Sequence, residues 1–219
     1  MNSLFGFWSE WLPTLLNGLA ISIEVTAASL LFGIPMGLLL ALCRQSKLTP
    51  LRLLSIALIE LGRGAPALII LQFVYFGLPN AGLSLSSFGS ATVALAWNAG
   101  AYTSEIIRAG LEAVPHGQRE AAAAIGLSRT DSLRYVILPQ SLRISLPALL
   151  GFSIAVLQTS SLCFSIALPE LVSQAYIVGS NTFQYMPILV LAALLYAAIC
   201  LPATVAVSAL ERHLNRHSE

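Results

Sequence analysis

With 219 residues, of which 57% are apolar and only 10% charged, the chain has too little polar surface to cover a water-soluble globule. It reads as an integral membrane protein. A formal net charge of +1 says little by itself, and no nucleic-acid partner is expected.

The first residues, MNSLFGFWSEWLPTLL, lack the basic n-region and small-residue cleavage site of a secretory signal, so the first span is expected to stay. Trp8 and Trp11 suit a membrane interface, where an indole is half wet. A helical span needs roughly 20 mostly apolar residues to cross ~30 Å of hydrocarbon. Five stretches qualify, at about 15–43, 53–78, 90–111, 142–168 and 186–210, in a single domain over 1–219. Cys43, Cys163 and Cys200 sit in or beside these apolar runs, and their odd number gives no disulfide framework.

Basic residues orient the spans, because cytoplasmic loops retain an excess of Lys and Arg. Arg44, Lys47 and Arg52 lie between spans one and two; Arg119, Arg129, Arg134 and Arg143 lie around the loop before span four; Arg212 and Arg216 lie in the tail. Segments 1–14, 79–89 and 169–185 contain none. The amino terminus is therefore expected outside and the carboxyl terminus in the cytoplasm. The outer connection 169–185 reads as a polar, solvated loop with room for a short helix, or as a surface that meets a delivered binding protein.

A polar side chain at membrane depth needs a partner or a water-filled path. In span two, Glu60 and Arg63 are three apart on one helical face and can pair, with Gln72 deeper along the span. In span three, Asn98, Tyr102 and Glu105 share a face, and Arg108 follows Glu105 by three. In span four, Gln158, Thr159, Ser160 and Ser161 form a polar patch. Their hydroxyls either bond back to their own helix or line a translocation path with Asn98 and Tyr102. For the two ion pairs, packing and ligand contact both stand open.

The one long polar run is 112–147, EAVPHGQREAAAAIGLSRTDSLRYVILPQSLRISLP, whose first part, 112–141, is the expected cytoplasmic loop. Pro115 fits a first helical turn, and Arg119 to Ile125 is rich in alanine. Gly126 supplies a stop, since a residue just past a helix end often needs positive φ. Ser128 with Asp131 resembles a capping box, and Pro139 is expected to end the helix that Ser128 begins. The run reads as a helical knob on the water side.

Glu120-Ala121-Ala122, then Gly126, then Val136-Ile137-Leu138-Pro139 resembles the EAA loop of bacterial ABC importer permeases, with Val136 in place of the usual isoleucine. Glu60 to Pro66, Val74 to Pro79, Asn98 to Arg108 and Val114 to Gln118 are similar to segments of the polar amino acid uptake branch, with Ala65 and His116 as departures. The resemblance implies an all-α, MetI-like type I importer fold of five transmembrane helices with a cytoplasmic coupling helix. Gly117, Glu120, Ala121, Ala122, Gly126 and Leu127 would then contact an ATPase subunit. Implied partners are an ATPase dimer carrying ATP and Mg, a second permease that is identical or homologous, a periplasmic or lipid-anchored substrate-binding protein, membrane lipid and a polar amino acid.

No cofactor or metal is expected on this chain, and its place is the bacterial cytoplasmic membrane. Gln158 to Ser161 stands where many members have lysine, aspartate, threonine and serine, which argues against assuming a cationic substrate. Rival readings fare worse. An intramembrane enzyme needs a nucleophile and base or a metal site within the spans, whereas His116, His213 and His217 lie outside them. A secondary transporter driven by an ion gradient usually shows internal repeats, and five spans do not halve.

Overall fold

A computed structural model describes residues 4–215; Arg216 and His217 lie outside the described residues. The described residues are helical or in short connections, with no strand among them. The helices are α1 Leu4–Arg44, α2 Thr49–Gly64, α3 Ala67–Gln72, α4 Ser87–Ala113, α5 His116–Ala124, α6 Arg129–Asp131, α7 Leu138–Thr159, α8 Leu171–Thr182 and α9 Tyr185–Asn215. Lipid provides no hydrogen-bonding partner for the backbone, so each spanning segment must satisfy its own N–H and C=O groups as a helix.

α4 is the central helix. It packs along α1 and against α2 and α7, and its buried side includes Ala91, Ala94, Ala99, Gly100, Ala101, Thr103 and Ser104. Small residues let helix backbones approach closely where lipid gives no hydrophobic drive for association. α1 begins well before the expected first span, at Leu4 rather than near residue 15. Trp8 there donates from Nε1 to the Pro187 carbonyl at 3.0 Å, so this indole is held by the start of α9 rather than only by an interface.

Three helical stretches are long and apolar enough to cross a membrane: Gly6–Arg44, Arg129–Ile166 and Tyr185–Leu214. The expected second span is broken, and its two parts, Thr49–Gly64 and Ala67–Ala81, are bent by 107°. Pro66 has no N–H to continue the ladder and disfavours a helical conformation in the residue before it. Ala65 is accordingly extended, at φ −84 and ψ 138.

Two further expectations are corrected. Pro139 does not end the helix begun at Ser128; the helical rod runs through it from Arg129 to Ile166. A π turn over Ser132–Ile137 precedes the proline, and the Leu138 N–H reaches back five residues to the Leu133 carbonyl. The wider turn accommodates a residue that can neither donate nor tolerate a carbonyl four residues back.

The connection 169–185 is not a solvated loop. It holds α8, whose Leu171, Ala175 and Val178 form a core with Leu15 and Leu19 of α1 and Ile188 and Leu191 of α9. Glu170 caps α8 with its side chain, accepting N–H bonds from Val172 at 2.9 Å and Ser173 at 2.7 Å. Burial pushes the Glu170 carboxyl up to about 7, although those N–H groups, Ser22 and Tyr196 favour its charged form.

Candidate functional site: an intramembrane cavity and a projecting helix

The break at Ala65-Pro66 opens one wall of a cavity of about 360 Å³ between α2, α4 and α7. Its lining includes Arg63, Pro66, Asn98, Tyr102, Phe152 and Thr159. Asn98 donates from Nδ2 to the Gly62 carbonyl at 2.8 Å, and Tyr102 donates its hydroxyl to the Arg63 carbonyl at 3.4 Å. These two bonds use carbonyls at the frayed end of α2, which the proline leaves without helical partners. Trp97 continues the seam, donating from Nε1 to Leu58 at 3.1 Å.

α2 can approach α4 this closely because of Gly62: a Cβ there would lie 2.7 Å from the Ala101 Cβ and 3.1 Å from the Trp97 Nε1. On the opposite wall, Phe152, Val156 and Thr159 recur at helical spacing along α7. Phe152 stacks on Tyr102 with ring centroids 5.4 Å apart.

Beside the cavity lies an ion cluster joining three helices. Glu105 of α4 pairs with Arg44 of α1 and accepts from Arg108 Nη2 at 2.8 Å and Nε at 3.1 Å. Arg108 also reaches Glu112 at 2.7 Å, and Arg63 Nη1 of α2 stands 3.7 Å from Glu105. The pairing expected between Glu60 and Arg63 is therefore replaced: Arg63 turns to Glu105, and Glu60 is exposed on α2.

The structure divides the other expected path residues. Asn98, Tyr102, Thr159 and Arg63 meet at one cavity. Gln158 and Ser161 face a different groove, beside Tyr196 and Ala197 of α9, and Ser160 is buried. The hydroxyls of Thr159, Ser160 and Ser161 bond back to Ala155, Leu157 and Gln158, as the local alternative required. Gln72 ends α3, outside the cavity lining. The sequence reading missed Phe152 and Val156, although their spacing from Thr159 puts them on its face. It also missed Arg44 as a partner of Glu105, because 61 residues separate them and no local pattern links them.

At the far end of α4, the polar loop folds as a short helix, α5, whose only buried residue is Ala122. Pro115 is its cap, one position before the first turn. Gly126 adopts φ 80; its N–H reaches the Ala123 carbonyl at 3.0 Å, and that of Leu127 reaches Ala122 at 3.1 Å. This pair of bonds is a Schellman stop, which only a left-handed residue completes cheaply. α5 is held to its own chain by Arg119, which donates to the Leu111 carbonyl at 3.0 Å, and by Gln118, bonded to Gln140 at 3.2 Å. Gly117, Glu120, Ala121 and Gly126 are exposed. Ser128 caps the next helix, accepting the Asp131 N–H at 3.1 Å and donating to its carboxylate at 2.6 Å.

An apolar helical bundle with a polar cavity and a short helix exposed on its polar loop is the architecture of a membrane permease. The chain belongs to the family described as the binding-protein-dependent transport system inner membrane component, whose model matches residues 33–216. It is the membrane-spanning subunit of an ABC importer, in which the ATPase is a separate chain.

Among relatives, the probable amino-acid ABC transporter permease YckA of Bacillus subtilis (strain 168) is 38% identical over 93% of this chain and 90% of that protein. The arginine transport system permease ArtQ of the same organism is 35% identical over 98% of both, and the L-cystine permease TcyB is 37% identical over 96% and 89%. A solved amino acid ABC transporter, crystallised with histidines, aligns at a TM-score of 0.90 with 35% identity, covering 97% of this chain and all of that one. The MetNI methionine transporter aligns at 0.68 with 22% identity, a likeness of fold.

Proposed function

We propose that this chain carries a polar amino acid, or a close analogue, inward across the bacterial cytoplasmic membrane when ATP binds and is hydrolysed on partner subunits. The observation that carries the reading is α5: a capped helix buried at one alanine and otherwise bare. A nine-residue helix is too short to persist alone; bonds from Arg119 and Gln118 to its own chain hold it in place and leave its exposed face free to meet a partner. Gly117, Glu120, Ala121, Ala122, Gly126 and Leu127 would sit in a groove of the ATPase subunit. Closure of an ATPase dimer around ATP and Mg would displace α5, and the stiff rod Arg129–Ile166 would transmit the displacement to the cavity.

The same reading counts α4 as a fifth span, its polar residues sheltered at the centre of the bundle. It places the amino terminus outside and α5 with the carboxyl terminus in the cytoplasm, from the basic residues in the loops. A second permease, identical or homologous, and a substrate-binding protein outside complete the assembly. Amino-acid names among relatives at 35–38% identity support the substrate class. They do not select a side chain, because arginine and cystine permeases match this chain about equally.

The test is co-purification with an ABC ATPase subunit of the same organism, followed by uptake in proteoliposomes. ATP-dependent accumulation of an amino acid, with crosslinks from Ala121→Cys to the ATPase, is the expected result. Uptake that persists on an ion gradient without ATP, or crosslinks to lipid alone, overturns it.

A further inference from the structure

α7 has two working faces. Phe152, Val156 and Thr159 look into the polar cavity, whereas Leu150, Ile154 and Leu157 line a groove of about 570 Å³ shared with α1 and α9. The groove walls are apolar apart from Thr26 and Ser153. Both hydroxyls bond within their own helices, Thr26 to the Ser22 carbonyl at 2.7 Å and Ser153 to the Leu149 carbonyl at 2.8 Å. The lining therefore asks for an apolar occupant.

The shape of the groove follows from how its helices meet. Leu15 and Leu19 of α1 pack with Ile188 and Leu191 of α9 in the core that also holds α8. Beyond that core, from Ile23 and Ile199 onward, the groove lies between the helices, and the small side chains of Ala27, Ala203 and Ala206 leave it room. It is bounded at the α8 end and runs toward the end that bears α5. On α9 it extends from Ile199 to Leu210, roughly 16 Å at 1.5 Å per residue. That is the depth of one leaflet, half of a hydrocarbon core of ~30 Å.

A gap of this depth inside a bilayer is filled, because bare apolar walls forfeit dispersion contacts. A helix of another chain, ~10 Å across with its side chains, would take up roughly 1,300 Å³ over that length, more than twice the about 570 Å³ of the groove. An acyl chain is slender enough and long enough.

The charge at the mouth selects the rest of the ligand. Arg143 is the only charged residue of α7 and precedes Leu150 by two helical turns, on the same face. It thus stands ~10 Å beyond the groove, at the level of lipid headgroups. It is exposed and takes part in none of the ion pairs among the described residues. On α9, Glu211 and Arg212 follow Leu210 and cancel in formal charge, so Arg143 leaves the mouth positive. A guanidinium fork matches a phosphate by paired N–H···O bonds, and basic residues at helix ends hold lipid headgroups in this way.

We propose that the groove between α1, α7 and α9 is a phospholipid site, with one acyl chain lying along Leu150 to Leu157 and the phosphate bonded to Arg143. The lipid comes from the leaflet on the α5 side. It rests against the same rod, Arg129–Ile166, whose other face lines the polar cavity. The inference goes beyond the transport reading and needs only that the chain spans a bilayer.

The test uses the purified permease with its ATPase subunits in vesicles containing phosphatidylglycerol that carries a diazirine midway along one acyl chain. After photolysis, labelled peptides are read by mass spectrometry. The expected result is label on 23–30, 150–157 and 199–210 at least fivefold above that on α2, whose Leu53, Leu54 and Leu61 are also exposed but lie outside the groove. Arg143→Gln should lower the groove label at least threefold, Arg143→Lys by less, and Arg52→Gln, at the start of α2, should leave it unchanged. Ala206→Phe should lower it by filling the groove. On the parent itself, unlabelled phosphatidylglycerol should displace the probe at concentrations at least threefold below those of a diacylglycerol with the same chains, which lacks the phosphate. Even labelling of α2 and the groove, or equal displacement by the diacylglycerol, overturns the proposal. So does a disulfide between two permease chains formed by Ser153→Cys, which would put a second copy in the groove. Labelling reads no transport, so its failure leaves the permease reading standing, and a complex that imports nothing leaves the lipid site standing.

Discussion

Ser22 of α1 donates its hydroxyl to the Glu170 carboxylate at 3.4 Å, and the same hydroxyl accepts the N–H of Leu171 at 3.2 Å. One serine thus pins the head of α8 to the first helix. Glu170 is fully buried, Tyr196 of α9 donates to it at 3.4 Å, and no described Lys, Arg or His pairs with it.

The burial of Glu170, working against these bonds, makes stability depend on pH in a definite direction. Glu170 holds its proton up to about 7 in the fold, against an ordinary value of 4.5, because burial penalises the charge. Between those values the folded chain binds more protons than the unfolded one, so stability falls as pH rises from about 4.5 and levels off above about 7. The change is on the order of a few kcal/mol. Glu170→Gln should flatten the dependence of thermal stability on pH across that window; an unchanged slope would place the pH response elsewhere.

The stop at Gly126 separates folding from coupling. A Cβ there meets nothing within 4 Å, so the chain itself leaves room for a side chain and only the φ of +80 resists. Gly126→Ala should cost about 1 kcal/mol of local helix stability. Gly126→Asp adds bulk and charge at the expected ATPase contact. It should insert in the membrane at normal levels yet lose ATP-driven uptake; full uptake by this variant would refute the docking assignment.

Gly62 and Gly64 form a matched pair two residues apart. A side chain at Gly62 collides with Ala101 and Trp97, whereas one at Gly64 has nothing within 4 Å. Gly62→Leu should destabilise by roughly 1–3 kcal/mol, as overpacking does, and displace α2 from α4. Gly64→Ala should leave thermal stability nearly unchanged. Equal melting temperatures for the two variants would contradict the close packing of α2 on α4.

Asn98→Asp puts an acceptor against the Gly62 carbonyl, which now receives a hydrogen bond at 2.8 Å. Losing that bond should cost about 1–3 kcal/mol. Thermal melting of the variant beside the parent measures the loss.

Much of the site could be read from short-range spacing. Asn98, Tyr102 and Glu105 share a helical face, and the structure places the first two in the cavity and the third directly beside it. The local bonding of Thr159, Ser160 and Ser161 was one of two readings the sequence allowed, and it is the one realised. Phe152 was legible in principle, by its helical spacing from Thr159. Arg44 was not, because its meeting with Glu105 depends on how α1 lies along α4.

By itself the amino-acid sequence determined the solvent, the helical class, the stop at Gly126 and the start at Ser128. Apolar run length, proline, glycine and capping residues act over a few bonds, and a chain in lipid has helix as its economical backbone state. Tertiary structure alone decided that Arg63 faces Glu105 rather than Glu60, that Pro66 opens a cavity while Pro139 is absorbed by a π turn, and that Glu170 is buried. Those outcomes depend on distances between helices far apart in the chain, and such distances are set by packing all of the helices at once.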